Sequence, residues 1–286
     1  MSRLVTIALF LLFPTVVVAG VPAWAAMPEG DQPTGKEVRI AGVVLKWIRT
    51  DKEVNLRRAE ALIREAAAGG AQIVCTTECF LDGYAIADKS IPLDKYRALG
   101  EPIPDGPCYT RLAALARELK LLLVAGMLEA DGEARCNTAV VISPEGRLLG
   151  KYRKQHLEHE LVRNRPGTDS PVFATPYGRI GVMICADRRL PEIAGNLKQQ
   201  GADFLLCLSG GMFGPKSNDW ILQARSRETH LPIVFVHPAE FLVTGPDGSI
   251  LERTILGDSL LIAPAEAGTP KDKNQVFYFD LPRSAP

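Results

Sequence analysis

Short apolar runs alternate along this chain with stretches in which apolar side chains recur at the spacing of an amphipathic helix. Residues 37–45 (EVRIAGVVL) predict a mostly buried strand, and the apolar positions within 56–66 predict a helix after it. Thr50 and Glu53 have the spacing of a capping box, in which Thr50 caps this helix and Glu53 reaches back. The glycine pair at 69–70 predicts the end of the helix.

The same alternation continues to the end of the chain. It predicts strands at residues 72–75, 121–129, 137–143, 204–209, 232–237 and 276–281, a strand pair over 172–188, hairpin turns at 131–132, 144–146 and 246–248, and helices at 110–120, 191–201 and 218–230. Strands that alternate with helices favour a layered α/β fold over a β-sandwich or a helix bundle. No linker interrupts residues 37–281, which we therefore predict to form one domain.

The N-terminus differs from the rest of the chain. Arg3 precedes an uncharged apolar run over residues 4–20, and Ala23-Trp24-Ala25 then forms a small-x-small pattern. This order is typical of a signal peptide, so we predict that residues 1–25 are removed and that the protein is exported, to the periplasm or outside the cell. An uncleaved membrane anchor is the alternative, although Pro14 interrupts the apolar run, which is also short of the ~20 residues a span needs.

Charge and composition narrow the possible partners. The formal net charge is zero, so nothing in the charge balance suggests a nucleic-acid partner, which usually leaves a basic footprint. Neither an HExxH pair, a paired CxxC nor a glycine-rich phosphate loop is present, so we expect no metal or organic cofactor. The six cysteines could form disulfides in an exported protein, with Cys75 and Cys79 as the nearest pair, or could be small buried hydrophobes.

Three reactive side chains follow apolar strands, where α/β enzymes place their reacting groups. Cys185 ends the run RIGVMIC, Glu78 follows QIVC, and Lys154 follows a hairpin strand. A desolvated Glu is a general base near neutral pH, and a fixed ammonium stabilises an oxyanion. Each has a simpler explanation when taken alone: a packing cysteine, a surface-loop glutamate and a solvated lysine.

Together, the order and flanking sequences of these residues resemble the carbon–nitrogen hydrolase family, or nitrilase superfamily. The segments that carry the resemblance are AQIVCTTECFLDGYA, GKYRKQHL, PGTDSPVFATPYGRIGVMICADRRLPE and LQARSRETHLPIVFV. The resemblance implies a four-layer α-β-β-α sandwich, a homodimer, and a triad in which Glu78 is the base, Lys154 the oxyanion stabiliser and Cys185 the nucleophile. It also implies a second glutamate soon after the lysine, for which Glu160 is a better match than Glu158.

The chain departs from the family pattern around the site. Thr77 stands where proline is usual, Ala186 where an aromatic residue or asparagine is common, and Thr229 where asparagine is normal. The loop after Val236 is shorter than in the family, which leaves substrate choice open. His237 is predicted either to enter the site as a polar group or to be a partly exposed loop residue.

The segment CADRRLPE lacks the Trp-Glu pair of true nitrilases and looks more like amidases and N-carbamoyl amino-acid hydrolases. In the carbamoylase type, an arginine after the nucleophile binds the substrate carboxylate, a role open here to Arg188 or Arg189. Alternatively, one of these arginines pairs with Asp187 or Glu192 of the protein itself. Tyr84 closes the segment around the predicted base and is a further substrate-binding candidate.

The predicted function is therefore hydrolysis of a small linear amide or ureide through a cysteine thioester. Acyl transfer, in which an amine captures the same thioester, is an alternative that the sequence does not separate from hydrolysis. An exported binding protein without turnover is a third possibility, which the complete Glu-Lys-Cys set disfavours.

Overall fold

A computed structural model describes residues 36–211, 215–257, 264–266 and 274–283. Contacts within the chain divide it into residues 1–32 and residues 33–286, and the description below concerns the second unit alone. The predicted signal segment lies outside the described residues. None of the described helices is both long enough and apolar enough to span a bilayer.

Strands and helices alternate as the sequence pattern predicts, and most predicted boundaries hold to within a few residues. The elements are β1 (Glu37–Val44), α1 (Lys52–Ala68), β2 (Ile73–Thr76), α2 (Leu93–Ala98), β3 (Glu101–Pro102), α3 (Pro107–Leu119), β4 (Leu122–Asp131), β5 (Ala134–Ile142), β6 (Leu148–Arg153), β7 (Val172–Thr175), β8 (Gly178–Ile184), α4 (Pro191–Gln199), β9 (Phe204–Leu208), α5 (Pro215–Thr229), β10 (Ile233–His237), β11 (Glu240–Thr244), β12 (Ile250–Ile255) and β13 (Gln275–Pro282). Short 3₁₀ turns occur at Ala85–Ala87, Glu158–Val162, Cys185–Arg189 and Pro264–Glu266.

The strands form two sheets. The first has the order β13-β1-β2-β4-β5-β6, with β3 beside β4, and the second has the order β12-β11-β10-β9-β8-β7. Strands β1, β2 and β4 run parallel at the centre of the first sheet, as β8, β9 and β10 do in the second. Parallel strands place their carboxyl ends at one edge, and hairpins at the flanks complete each sheet.

Three apolar cores separate four layers. Side chains of both sheets pack against each other in the central core, while α1 and α3 cover the first sheet and α4 and α5 cover the second. Strand β1 is buried on both faces, because Ile40 points into the central core and Val43 points towards the helices. Gly42 permits the close approach of the sheets, since a Cβ there would lie 2.6 Å from the Phe241 ring. The predicted α-β-β-α sandwich is confirmed.

The predicted start of α1 was wrong by one residue. Asp51, and not Thr50, caps the helix, and its side chain accepts a 3.1 Å hydrogen bond from the Val54 amide. Thr50 has φ of 63°, in the left-handed region, whereas a cap residue needs an extended backbone. The predicted end is confirmed, since the Gly69 amide closes the last turn on the Glu65 carbonyl at 2.9 Å.

Candidate active site

The three predicted reactive residues lie at strand ends and are buried. Glu78 follows β2, Lys154 follows β6 and Cys185 follows β8, with side chains that are almost fully shielded from solvent. A backbone hydrogen bond of 3.2 Å from the Glu78 amide to the Ser209 carbonyl ties the end of β2 to the end of β9 in the other sheet. The facing sheets therefore bring Glu78 and the nucleophile strand to the same edge.

Lys154 bridges two buried carboxylates. Its Nζ lies 2.7 Å from Oε1 of Glu78 and 2.5 Å from Oε1 of Glu160. An ammonium has three donors, so these two contacts leave one N–H for another acceptor. Glu160, the family-based choice, therefore lies in this cluster, whereas Glu158 lies nearer the surface and pairs with Arg189.

Asn137 on β5 completes the cluster and was not predicted from the sequence. Its Nδ2 donates to Glu78 Oε1 at 2.6 Å and to Glu160 Oε2 at 3.1 Å. Its Oδ1 accepts from Cys79 Sγ at 3.3 Å, and burial raises the pKa of the Cys79 thiol, which keeps it a donor. The available signal was an amide side chain at the start of a predicted strand whose later residues are apolar, since a buried amide needs partners.

The charges of this cluster favour proton transfer at Glu78. Burial raises the pKa of Glu78, and the Glu160 charge adds to this effect, although Lys154 opposes it. Burial lowers the pKa of Lys154, but the two carboxylates outweigh that effect and hold it well above its usual value. One cation thus faces two acids, so the ammonium persists and a carboxyl is disposed to accept a proton.

Glu78 Oε2 makes no hydrogen bond among the described residues. It lies beside Gly210, and the Cys185 thiol lies beside the next residue, Gly211. A Cβ on Gly210 would lie 3.1 Å from Glu78 Oε2, and a Cβ on Gly211 would lie 3.0 Å from Cys185 Sγ. Adjacent glycines therefore keep side chains out of the space beside both groups. Cys185 itself has φ of 48°, a conformation that costs a residue with a side chain about 1–3 kcal/mol and is common at functional sites.

Asp187 holds the nucleophile turn against the lysine segment. Its carboxylate accepts from the Ile184 amide at 2.9 Å and the His156 amide at 2.8 Å, and from the Tyr152 hydroxyl at 2.7 Å. Ile184 precedes the cysteine, and His156 comes two residues after the lysine. Asp187 thus joins the ends of β6 and β8.

The two adjacent arginines differ in position. Arg188 is buried, with Nη1 at 3.5 Å from Cys185 Sγ and its Cζ 5.6 Å from the centre of the Phe235 ring. Arg189 is exposed and forms an ion pair with Glu158. The structure therefore brings Arg188 to the thiol and leaves Arg189 at the surface.

His237 and Tyr84 are both buried beside this cluster. His237 Nδ1 accepts from the Ala239 amide at 3.1 Å, so Nε2 carries the proton and donates to the Gly211 carbonyl at 2.8 Å. Burial lowers the pKa of His237 to about 4, which keeps the ring neutral. The alternative prediction, that His237 is a partly exposed loop residue, was wrong. Tyr84 stacks on Trp47 with ring centres 5.2 Å apart, and burial, with a contribution from the Glu78 charge, raises its pKa well above the usual value.

The cysteines are free thiols. All six lie within the described residues, five of them buried and Cys108 half-buried. Cys75 Sγ donates to the Thr76 carbonyl at 3.7 Å, while Cys79 donates to Asn137. The sequence allowed either disulfides or small buried side chains, and in the structure the cysteines are unpaired thiols that are mostly buried.

Fold and site together define the class of protein. Two facing sheets covered by helices, with a thiol, an ammonium and two carboxylates at the strand ends, are what the resemblance to the nitrilase superfamily implies. The model of the family described as carbon-nitrogen hydrolase matches residues 39–267. The chain therefore belongs to the carbon–nitrogen hydrolase family.

Individual relatives include nitrilases and amidases. The chain is 29% identical to the bifunctional nitrilase/nitrile hydratase NIT4A of Nicotiana tabacum over 290 residues, which cover 90% of this chain and 80% of that protein. It is 35% identical to the human omega-amidase NIT2 over 200 residues, which cover 66% of this chain and 69% of that protein.

Solved structures share the fold. Nit3 of Saccharomyces cerevisiae, a member of branch 10 of the nitrilase superfamily, superposes with a TM-score of 0.71 at 24% identity, covering 87% of this chain and 91% of that one. An amidase from Nesterenkonia sp. superposes with a TM-score of 0.70 at 22% identity, covering 88% and 93%.

Proposed function

We propose that this protein hydrolyses the C–N bond of a small linear amide or ureide, with Cys185 as nucleophile, Glu78 as general base and acid, and Lys154 as oxyanion stabiliser. One observation carries the proposal: Lys154 and Asn137 hold one oxygen of Glu78, while the other has no hydrogen-bond partner among the described residues and lies beside the Gly210–Gly211 segment that also borders the Cys185 thiol. A base needs this combination of a fixed carboxylate and a free oxygen.

The first half of the reaction forms a thioester. Glu78 Oε2 takes the thiol proton as Cys185 Sγ bonds to the carbonyl carbon, and the carbonyl electron pair moves onto oxygen. The third N–H of Lys154 and a backbone N–H near Cys185 stabilise that oxyanion. When the oxyanion collapses, the C–N bond breaks and Glu78 gives its proton to the departing nitrogen.

The second half releases the acid. Water gives a proton to Glu78 and its oxygen attacks the thioester carbon, forming a second oxyanion at the same position. Collapse breaks the C–S bond, the carboxylic acid leaves, and the proton on Glu78 returns to the sulfur. Asn137 and Glu160 act through Glu78 and Lys154, because they hold the base and the ammonium in register.

The substrate is proposed to carry a carboxylate, with Arg188 as its binding group. Arg188 is buried, no carboxylate within the described part of the chain forms an ion pair with it, and its Nε has no hydrogen-bond partner there. A buried cation is costly unless it is paired, and a guanidinium matches the geometry of a carboxylate. N-carbamoyl amino acids and amides of dicarboxylic acids fit this requirement, and the similarity to omega-amidases supports the second group.

Export and assembly are proposed from the sequence. The mature protein would begin after residue 25 and work outside the cytoplasm as a homodimer. N-terminal sequencing of the protein from a host that processes signal peptides, and its mass in solution, would test these two points.

The test is a substrate panel. Carboxylated and neutral amides, N-carbamoyl amino acids and nitriles are incubated with the protein and with Cys185→Ala, and released ammonia or amine is measured. We expect turnover of carboxylated amides or carbamoyl amino acids and an acyl adduct on Cys185 by mass spectrometry. Added amines that divert the product would indicate acyl transfer. The hydrolase proposal is abandoned if nothing in the panel reacts while Cys185 is still alkylated by iodoacetamide.

A further inference from the structure

The tight hairpin between β10 and β11 brings a buried acid towards the nucleophile turn. His237 and Glu240 face each other as the last register pair of this hairpin, so only Pro238 and Ala239 separate them. Glu240 is fully buried. The short turn places Glu240 at the start of β11.

Glu240 connects to Cys185 through two side chains. Its Oε2 accepts from Asn218 Nδ2 at 3.4 Å, and Asn218 Oδ1 accepts from Arg188 Nη2 at 2.5 Å. The other terminal nitrogen of Arg188, Nη1, lies 3.5 Å from Cys185 Sγ. Asn218 therefore links the Glu240 carboxyl to the guanidinium through hydrogen bonds on both sides of its amide.

Glu240 also meets a second carboxyl group, that of Asp219. Glu240 Oε1 and Asp219 Oδ1 are both buried without a hydrogen-bond partner among the described residues, and yet the two side chains lie within hydrogen-bonding reach of each other. Two ionised carboxylates only accept, so a single proton between them satisfies both oxygens. Arg253 binds the other Asp219 oxygen at 2.5 Å, so the cation lies on the Asp219 side of the pair and the proton belongs on Glu240.

The electrostatics agree with this distribution. Burial, followed by the neighbouring Asp219, raises the pKa of Glu240 to about 8. Among the described residues, the charged or titratable groups that face the pair are Arg253 on β12, Arg188 on the nucleophile turn and His237 on β10. Arginine does not deprotonate in proteins, and burial keeps His237 neutral above its pKa of about 4, so these three groups keep their charge between pH 6 and pH 9.

We propose that Glu240 and Asp219 share one proton and, through Asn218, hold the Arg188 guanidinium in position beside Cys185. The inference rests on the proposed function, because it assigns the residues that position the substrate-binding cation. When the proton leaves, the two carboxylates repel each other, and this repulsion displaces the Glu240 oxygen that accepts from Asn218. Glu240 and Asp219 are positioning residues and do not touch the reacting atoms.

The test compares the wild type with Glu240→Gln, whose carboxamide still accepts from Asn218 and donates to Asp219 without titrating. In the folded wild type the pKa of Glu240 is about 8, whereas in the unfolded chain Glu240 has the lower pKa of an ordinary glutamate. The folded state therefore binds more protons between these two pKa values, and the free energy of unfolding falls as pH rises towards 8. The Tm of the variant relative to the wild type should therefore rise by roughly 5–10 °C between pH 6 and pH 9. Glu133→Gln, the same change at an exposed carboxyl, should show no such trend.

The second readout is kinetic. For a carboxylated amide the wild-type KM should rise about tenfold between pH 7 and pH 9, since each unit above the pKa reduces the protonated pair tenfold. The KM of Glu240→Gln should stay flat over the same range, and kcat and the KM of a neutral amide should change little in either protein. Asp219→Asn, which also removes the shared proton, provides a second variant if the first does not fold.

The two readouts separate the possible failures. A Tm difference that does not vary with pH overturns the shared proton, whether or not the protein turns over any amide. A Tm difference that varies as expected, with parallel KM profiles in wild type and variant, overturns the positioning role. If the wild type turns over no amide at all, the proposed function is refuted. The Tm measurement then still tests whether Glu240 and Asp219 share a proton.

Discussion

Replacement of Lys154 by methionine tests the charge arrangement of the site most directly. The substitution removes the ammonium but keeps the length and apolar stem of the side chain. It leaves Glu78 and Glu160, which Lys154 contacts at 2.7 and 2.5 Å, buried and facing each other without a cation between them. Breaking a buried ion pair on one side costs about 3–5 kcal/mol, because the remaining charge is uncompensated.

The cost should depend on pH and on Glu160. As pH falls, the two carboxyls take up protons and the repulsion disappears, so the deficit in the free energy of unfolding should be largest near pH 8 and smallest near pH 5. Glu160→Gln in the Lys154→Met background removes one of the two acids and should recover about half of the loss. Activity should fall by about 10²–10³ or more in either variant, since the oxyanion donor is absent.

The assay is urea unfolding of the wild type, the single variants and the double variant at several pH values, with Lys151→Met as the control. Lys151 lies on β6 close to Lys154 and pairs with Glu129, but its side chain is 33% exposed and Arg153 also binds that carboxylate. Its loss should cost about 1 kcal/mol or less. Equal costs for the two lysine variants, or a deficit that is independent of pH, would refute the reasoning.

Three further predictions concern individual side chains. Asn137→Leu removes two donors to the buried acids, so the pKa of the base should rise and the acid limb of the kcat/KM profile should move to higher pH; an unchanged limb would count against a role for the amide. Arg188→Met should raise the KM of a carboxylated amide at least about tenfold and should have a smaller effect on the KM of a neutral amide, whereas Arg189→Met should change neither KM. Equal effects of the two arginine variants would contradict the proposed carboxylate site. His237→Leu should lower kcat about tenfold because the Gly211 carbonyl loses its donor, and His237→Gln, which carries an amide N–H, should recover part of it; a glutamine variant as impaired as the leucine variant would contradict this explanation.

Much of the architecture could be predicted from the sequence because local patterns carry it. Strands buried on both faces give continuous apolar runs, such as the one that became β1, and helices covered on one face give helical spacing, as in α1. The wrong cap of α1 came from backbone geometry, since Thr50 has the side chain of a cap but a left-handed φ. Glu78, Lys154 and Cys185 could be selected because their order and flanking sequences resemble the carbon–nitrogen hydrolase family, although each had a simpler explanation when taken alone.

The sequence by itself determined the four-layer fold, the family and the set of reactive residue types. Only the tertiary structure decided how these groups meet. Asn137 could not be chosen from the sequence, because its role depends on two carboxylates that come from other segments. Arg188 and Arg189 are equivalent in sequence, but successive residues of a 3₁₀ turn point about 120° apart, so one faces the thiol and the other the surface.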